Sequence, residues 1–587
     1  MKKNIFNKVW NLAKAVLPFY LFALLPLSSC SDFLDEQKPQ GTLSDIEVTN
    51  PDKVDNLVIS AYAIFTTAED INSSFSMWNF DVRSDDAYKG GSSTNDGDVF
   101  HQLEVEKGVL TTNWNINDMW VRLYKALSRV NSAIAVIEKC DDSYALKSQR
   151  MAEMKFLRAY AHFLLKRLYK NIPFVTDPNM SEEQYNTLSN KEYTNDEGWQ
   201  VIINDLTEAY NALPDKQADK GRPTKAAAAA FLAKAYLYKA YRQDDAASHR
   251  VTSINEDDLK KVVEYTDPAI FNAGGYALEQ DFHNNFRPEK EYENGVESVW
   301  AIQYSINDGS TYGNLNWSYG LIVPNIPDVT DGGCDFYKPT QNLVNAFKTN
   351  GNGLPMANSN DANYDMAADN ADPRLFLTVG ITGLPYMFNK NFIMDKSSAW
   401  SRSGGIYGYY VTLKHNVDPA LIGSYLIHGS YWASPMNRIV FRYADVLLMR
   451  AEAQVQLGNT TEAIALVNQI RTRAAQSTQM IADYESRYGV HIYCKNYEGA
   501  YTKEEALQIV KTERRLELAM ESERFFDLVR WGDAQQVITN YVTKEKERVS
   551  FLGDAQFRAD HDEYLPIPHE QISSSNGHYV QNINWGE

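Results

Sequence analysis

Residues 442–475 read RYADVLLMRAEAQVQLGNTTEAIALVNQIRTRAA, and no other stretch limits the fold as much. Two helical patterns meet at Gly458-Asn459, a pair that stops a helix because glycine and asparagine tolerate the left-handed cap conformation. Beyond the stop, Ala463, Leu466, Val467, Ile470 and Ala474 mark one apolar face. A turn this short sets two helices antiparallel. The motif recurs in outline. Asn115–Glu138 and Tyr144–Tyr169 are long periodic stretches joined at Cys140-Asp141-Asp142-Ser143, and Asp196–Leu213 precedes Thr224–Tyr241. In the last of these, Pro223-Thr224 suits a helix start and the alanine run 226–230 has high helix propensity. An earlier segment, Asp52–Ala68, carries Val54, Leu57, Val58, Ala61, Tyr62 and Phe65 at helical spacing. A last long helix is expected over Lys503–Trp531. The expected class is mostly α.

The 442–475 pair resembles a tetratricopeptide repeat, with small alanines at the crossing and glycine near the turn. No period of about 34 residues is visible by identity elsewhere. Residues 274–440 differ from both flanks. Glycine, asparagine, proline and aromatics crowd together in segments such as GSTYGNLNWSYG and WSRSGGIYGYY. Long irregular stretches in a compact protein are usually functional. The expected organisation is one domain over 52–587, with a helical-repeat scaffold mainly in 52–273 and 441–533 and a loop-rich region over 274–440.

The N-terminus has its own logic. Lys2, Lys3, Lys8 and Lys14 precede an apolar core, Ala15–Leu27, too short to span a bilayer. Leu27-Ser28-Ser29-Cys30 resembles the lipobox of bacterial lipoproteins, which implies a signal peptide over 1–29 and lipid attachment at Cys30. Residues 30–51 then read as a polar tether. An ordinary secretory peptide is the alternative. Removing 1–29 takes four lysines away, so the net charge moves from −19 to −23. Such acidity excludes a phosphate-backbone binder, and no nucleic-acid partner is expected.

Three cysteines remain, Cys140, Cys334 and Cys494, far apart and without CxxC, so buried thiols are expected rather than zinc or disulfides. Asn95, Asp96 and Asp98 lack full calcium-loop spacing. No metal or other cofactor is expected. GxSxG, HExxH, P-loop and Rossmann patterns are absent. Glu513, Glu517 and Glu521 can be read as catalytic carboxylates, but their interleaving with Leu516, Leu518, Phe525 and Phe526 reads more simply as a packed helix. Its charges would pair at a spacing of three: Arg514–Glu517, Glu521–Arg524 and Asp527–Arg530.

CSDFLDEQKP (30–39), FRYADVLLMRAEAQVQLGN (441–459), ERRLELAMESERFFDLVRWGD (513–533) and YLPIPHEQI (564–572) occur in an order that resembles the SusD/RagB family of outer-membrane, glycan-binding lipoproteins. ESVWAIQYS (297–305) and PTQNLVNAF (339–347) add to the likeness. The resemblance implies a scaffold of four tetratricopeptide-type helix pairs, capped by a loop-rich, ligand-binding region, here 274–440. It implies a lipid-anchored, surface-exposed protein of the outer membrane, with no catalysis. The protein would capture oligosaccharide and pass it to a TonB-dependent, SusC-like transporter.

Sugars offer apolar C–H faces and many hydroxyls, which aromatic rings and Asp, Asn or Arg side chains match. The loop region supplies Tyr312, Trp317, Tyr319, Trp400, Tyr407 and Trp432 as candidate contacts. Trp300, in an alternating block, is assigned to the core, and Trp317, in a glycine-flanked loop, to the surface. By the resemblance, WNFDVRSDDAYKGG (78–91) adds Trp78, Asp81, Arg83, Asp85 and Asp86; a loop held by its own turns would use the same residues. Two other functions stay open, a protein-binding scaffold without a sugar site and a secreted glycoside hydrolase. Adjacent carboxyls such as Asp85-Asp86 do not flank a scissile bond, so a hydrolase would need a distant partner.

Overall fold

The computed structural model describes residues 50–66, 81–309, 313–327, 329–330, 332–428 and 432–586. Cys30, Trp78 and Tyr312 lie outside the described residues. Eleven helices concern us. They are α1 (Pro51–Ala63), α2 (Trp114–Lys139), α3 (Lys147–Tyr169), α4 (Asn195–Ala212), α5 (Lys225–Ala240), α6 (Glu256–Tyr265), α7 (Tyr443–Gln456), α8 (Thr460–Gln476), α9 (Lys503–Glu517), α10 (Arg524–Trp531) and α11 (Ala534–Glu545). From α2 to α8 each packs against the next, so successive helices stack into a layered scaffold. No described helix is long and apolar enough to cross a membrane.

Capping explains where several helices begin. Thr194 and Thr502 each form a reciprocal capping box, with Glu197 and Glu505 respectively, and Asn113 and Thr224 accept backbone N–H bonds at the starts of α2 and α5. α5 is apolar around most of its circumference, and Ala226–Ala230 are fully buried. A helix of that kind has to lie inside. The alanines let α4, α6 and α7 approach it closely.

The loop-rich region holds short strands. β1 (Ala87–Gly90) pairs antiparallel with β3 (Phe336–Pro339), and β2 (Ser298–Ile302) with β6 (Arg438–Arg442). β4 (Lys348–Thr349), β5 (Asn370–Ala371) and β7 (His491–Ile492) make a small three-stranded sheet. The β2–β6 ribbon joins the two regions. Trp300 sits edge-on to Phe156 and Tyr160 at 4.8 and 5.1 Å, and Phe441 lies 5.3 Å from Phe231. Trp300 is therefore core, as its alternating block predicts.

The expected single helix over 503–531 is two. It breaks after Glu517 and resumes at Arg524, with Met520 and Ser522 at positive φ. The break has an electrostatic reason, since the charges seek partners remote in sequence. Arg514 bonds Asp445 and Asp527, Glu521 bonds Arg442 and Lys414, and Arg524 bonds Asp85; of the three expected local pairs only Asp527–Arg530 forms, at 2.8 Å. Glu517 meets Arg374 and Arg442 at 2.9 Å each, and Arg473 as well. Arg374 also reaches Glu513 at 2.7 Å. Glu513 and Glu517 are fully buried, and all three carboxylates, Glu521 included, are held in ion pairs with guanidinium or ammonium groups. The thiols of Cys140, Cys334 and Cys494 are free and buried.

Candidate ligand-binding site

A cleft of about 360 Å³ opens where the end of α1, the 213–224 turn between α4 and α5, and strand β2 converge. Its lining includes Tyr62, Phe65, Asp219, Arg222, Gln303 and Asn314. A second depression of about 360 Å³ adjoins it and shares residues 219–222 as a wall, so the two form an elongated groove on either side of that turn.

The turn reaches this place because of a glycine. Gly221 has φ +84°, and a Cβ there would lie 2.3 Å from the Gln303 side chain. Its carbonyl accepts a bond from Trp300 Nε1 at 2.9 Å. Gly221→Ala is therefore expected to cost about 1–2 kcal/mol of stability and to move the wall of the groove; denaturant unfolding and ligand affinity measured together check this.

A buried network fixes the polar groups. Glu153 is fully buried and accepts from Tyr62 Oη at 3.0 Å, Arg222 Nη1 at 2.6 Å and Arg150 Nη1 at 2.7 Å. Arg222 Nε also donates to Asp219 at 2.9 Å, and Asp55 accepts from Arg150 and Tyr144 at 2.6 and 2.9 Å. Burial first, then the Glu153 charge, pushes the Tyr62 phenol well up, so it stays a protonated donor. On the opposite wall Gln303 exchanges amide bonds with Asn294 at 2.9 Å, and Asn314 Nδ2 donates to Thr66 Oγ1 at 2.7 Å. The result is a pre-set row of amide, guanidinium and phenol groups beside aromatic carbon, chemistry that suits a polyol with apolar faces.

Trp317 is half-buried and opens a short helix, Trp317–Leu321, three residues beyond Asn314. Asn316 caps that helix and pairs with Ser434. The other described loop aromatics are core rather than surface. Tyr319 stacks on His415 at 4.4 Å, Trp400 packs against Tyr386 at 5.6 Å, Tyr407 lies 4.7 Å from Phe551, and Trp432 is buried beside His428 at 4.7 Å. Large rings in a loop-rich region gain most by packing together, since each buries about 150–250 Å².

The SDDA segment is likewise packed. Asp81 accepts from Tyr337 Oη and from Ser522 N at 2.9 Å; Arg83 donates to Glu106 at 2.6 Å and to the Asp562 carbonyl at 2.5 Å. Asp85 pairs with Arg524 at 2.8 Å and Asp86 with Arg515 at 2.7 Å. Burial outweighs the Tyr337 bond and, with Asp86 near, pushes Asp81 up to about 7; for Asp85 burial loses to Arg515 and Arg524, which hold it low. All four side chains are buried with internal partners, which corrects the expectation that they face a ligand. Sequence reasoning passed over Tyr62, Arg222, Gln303 and Asn314. Their signals were dispersed: the Asp52–Ala68 periodicity for Tyr62, the KGRPT turn for Arg222, the ESVWAIQYS block for Gln303 and the GSTYGNLNWSYG segment for Asn314.

The model of the SusD family matches residues 296–585, and one described as "Starch-binding associating with outer membrane" matches 32–237. SusD-like protein P25 of Formosa agariphila is 23% identical over 94% of this chain and 95% of its own. A SusD-like protein of Bacteroides fragilis superposes with TM-score 0.69 at 18% identity, covering 92% of this chain and 98% of that one. A laminarin-binding SusD-like protein superposes with TM-score 0.64 at 20% identity, over 91% and 99%.

Proposed function

The chain belongs to the SusD family, and from that membership we propose that it is a lipid-anchored surface protein that captures an oligosaccharide in the α1–β2 groove. The observation that carries this reading is the groove itself, with its aromatic carbon beside amides and a guanidinium held by buried partners. Cys30 would hold the lipid, and a SusC-like, TonB-dependent transporter would receive the sugar. Tetratricopeptide-type geometry for the stacked pairs, and one domain over 52–587, belong to the same proposal. No catalytic role is assigned.

A partner surface has some support. Leu110, Trp114 and Val121 are 61%, 51% and 45% exposed, and the last two lie seven apart on α2, so the helical scaffold offers apolar carbon to a protein such as the transporter. Of the described candidate aromatics, Trp317 is half-buried and the others are buried, so Trp317 stays in the proposal together with Trp78 and Tyr312.

The test is retardation of the mature protein, carrying Cys30→Ser, in native gels containing single polysaccharides, laminarin among them because a SusD-like protein of the same fold binds it. One polysaccharide should retard the protein without releasing reducing ends. Trp317→Ala should weaken that binding about ten- to a hundredfold, the loss of about 1.5–3 kcal/mol of ring burial. Retardation by none would sink the capture reading, and sugar release would make the protein a hydrolase.

A further inference from the structure

A larger cleft, of about 780 Å³, lies elsewhere, between the C-terminal end of α8, the loop after β4 and the segment after β7. It shares no lining residue with the α1–β2 groove. Its volume is in the range of small-molecule sites, about 300–1,000 Å³.

Its walls are fixed from behind by one guanidinium. Arg471 is fully buried, and its Nη2 donates to the Gly353 carbonyl at 2.8 Å while Nε donates to the Lys495 carbonyl at 2.7 Å. Its Nη1 ends on Glu513 at 3.1 Å, so both loops are fastened to the buried ionic cluster. Cross-bonds complete the frame: Lys495 N to the Gly353 carbonyl at 3.0 Å, Thr349 Oγ1 to the Tyr493 carbonyl at 2.7 Å, and Asn496 Nδ2 to Thr472 Oγ1 at 2.9 Å. Walls held this way lose little freedom when a ligand enters, which lowers the cost of binding.

The lining decides the ligand class. Asn352 and Gln476 are exposed, and their side-chain amides make no hydrogen bond among the described residues. Tyr493 contributes a half-exposed ring and Leu354 a small apolar face. The two charged groups, Lys495 and Glu498, are opposite in sign. An open cleft without an apolar floor does not suit a greasy ligand. A lining without net charge does not suit a phosphate or polyanion. Amides, a hydroxyl and one ring suit a neutral sugar. We propose that this cleft is a second glycan site, which takes a neutral oligosaccharide independently of the α1–β2 groove. A site this open is expected to bind at about millimolar, near 4 kcal/mol, which is useful for a surface protein that engages one long chain at two points.

The buried thiols allow a local readout. In the mature protein with Cys30→Ser, a Gln479→Cys substitution places one exposed thiol three residues beyond Gln476, where an environment-sensitive dye can be attached. Maltotriose, cellotriose, laminaritriose and mannotriose are titrated, with a trigalacturonate control. The expected result is a saturable dye response to at least one neutral trisaccharide. The response should persist in Trp317→Ala and weaken about tenfold in Tyr493→Ala and in Asn352→Ala, each removing one or two hydrogen bonds or a ring contact. Asn352 is exposed and supports nothing through its side chain, so its variant keeps the test valid even where Tyr493→Ala unfolds. No saturable response to any neutral sugar, a response unchanged in Asn352→Ala, or one lost in Trp317→Ala would each overturn the second site. The gel test of the first groove is read separately, so either site can fail alone.

Discussion

Glu517→Gln is expected to destabilise the protein by about 3–5 kcal/mol at pH 7, the largest single effect we anticipate. Glu517 is fully buried and faces Arg374, Arg442 and Arg473. The glutamine keeps the shape and loses the charge, leaving three buried guanidinium groups short of one counter-charge. The pH dependence checks the mechanism. Burial alone would raise the Glu517 pKa, but Arg473, Arg442 and Arg374 outweigh it and hold it well below the usual carboxylate range. A depressed folded-state pKa stabilises fully above the unfolded value of about 4.3 and loses that contribution as pH falls towards the folded one. The gap between wild type and Glu517→Gln in denaturant unfolding should therefore be widest above pH 5 and close as the pH drops below about 4.3. A gap under about 0.5 kcal/mol, or one independent of pH, would show that the cluster is not held by this charge.

Gly320→Ala is expected to damage stability and binding together. A Cβ at Gly320 would lie 1.6 Å from the Trp432 carbonyl oxygen and 2.7 Å from Ala433 N, both backbone atoms that cannot rotate away. Either the Trp317–Leu321 helix or the 432–433 strand must shift, which breaks the Asn316–Ser434 bridge at 2.7 and 3.1 Å. Overpacking of this sort costs about 1–3 kcal/mol, and the displaced helix carries Trp317. A fall in the unfolding midpoint with weakened gel retardation is the expected result. Gly405→Ala, where a Cβ meets nothing within 4 Å, is the control and should change neither. Unaltered sugar binding in Gly320→Ala would place the ligand away from Trp317.

The candidate site was less legible than the scaffold. Trp317 is half-buried, but Tyr319, Trp400, Tyr407 and Trp432 are buried and form no surface arc. An aromatic in a glycine-rich loop has the same local sequence whether it faces water or a neighbouring ring. The difference lies in what crosses it, such as His415 over Tyr319 or Phe551 beside Tyr407. Tyr62 and Arg222 are brought together by Glu153, which bonds both from helix α3, and the Arg222 guanidinium lies 5.6 Å from the Tyr62 ring centre.

Local sequence settled most of the scaffold helices and the turns that pair them, though not the break after Glu517. Periodicity, capping residues and the Gly458-Asn459 stop act within a few residues, and the alanine run announces a helix that neighbours can approach closely. Tertiary structure alone decided where the charges and rings go. Arg442 and Glu517 are separated by 75 residues and Arg374 and Glu517 by 143, while the local partners that spacing offered, Arg514 for Glu517 and Arg524 for Glu521, were left for others. Exposed i, i+3 pairs contribute only a few tenths of a kcal/mol. A buried carboxylate needs several donors at once, and only chains brought together from distant parts of the fold can supply them.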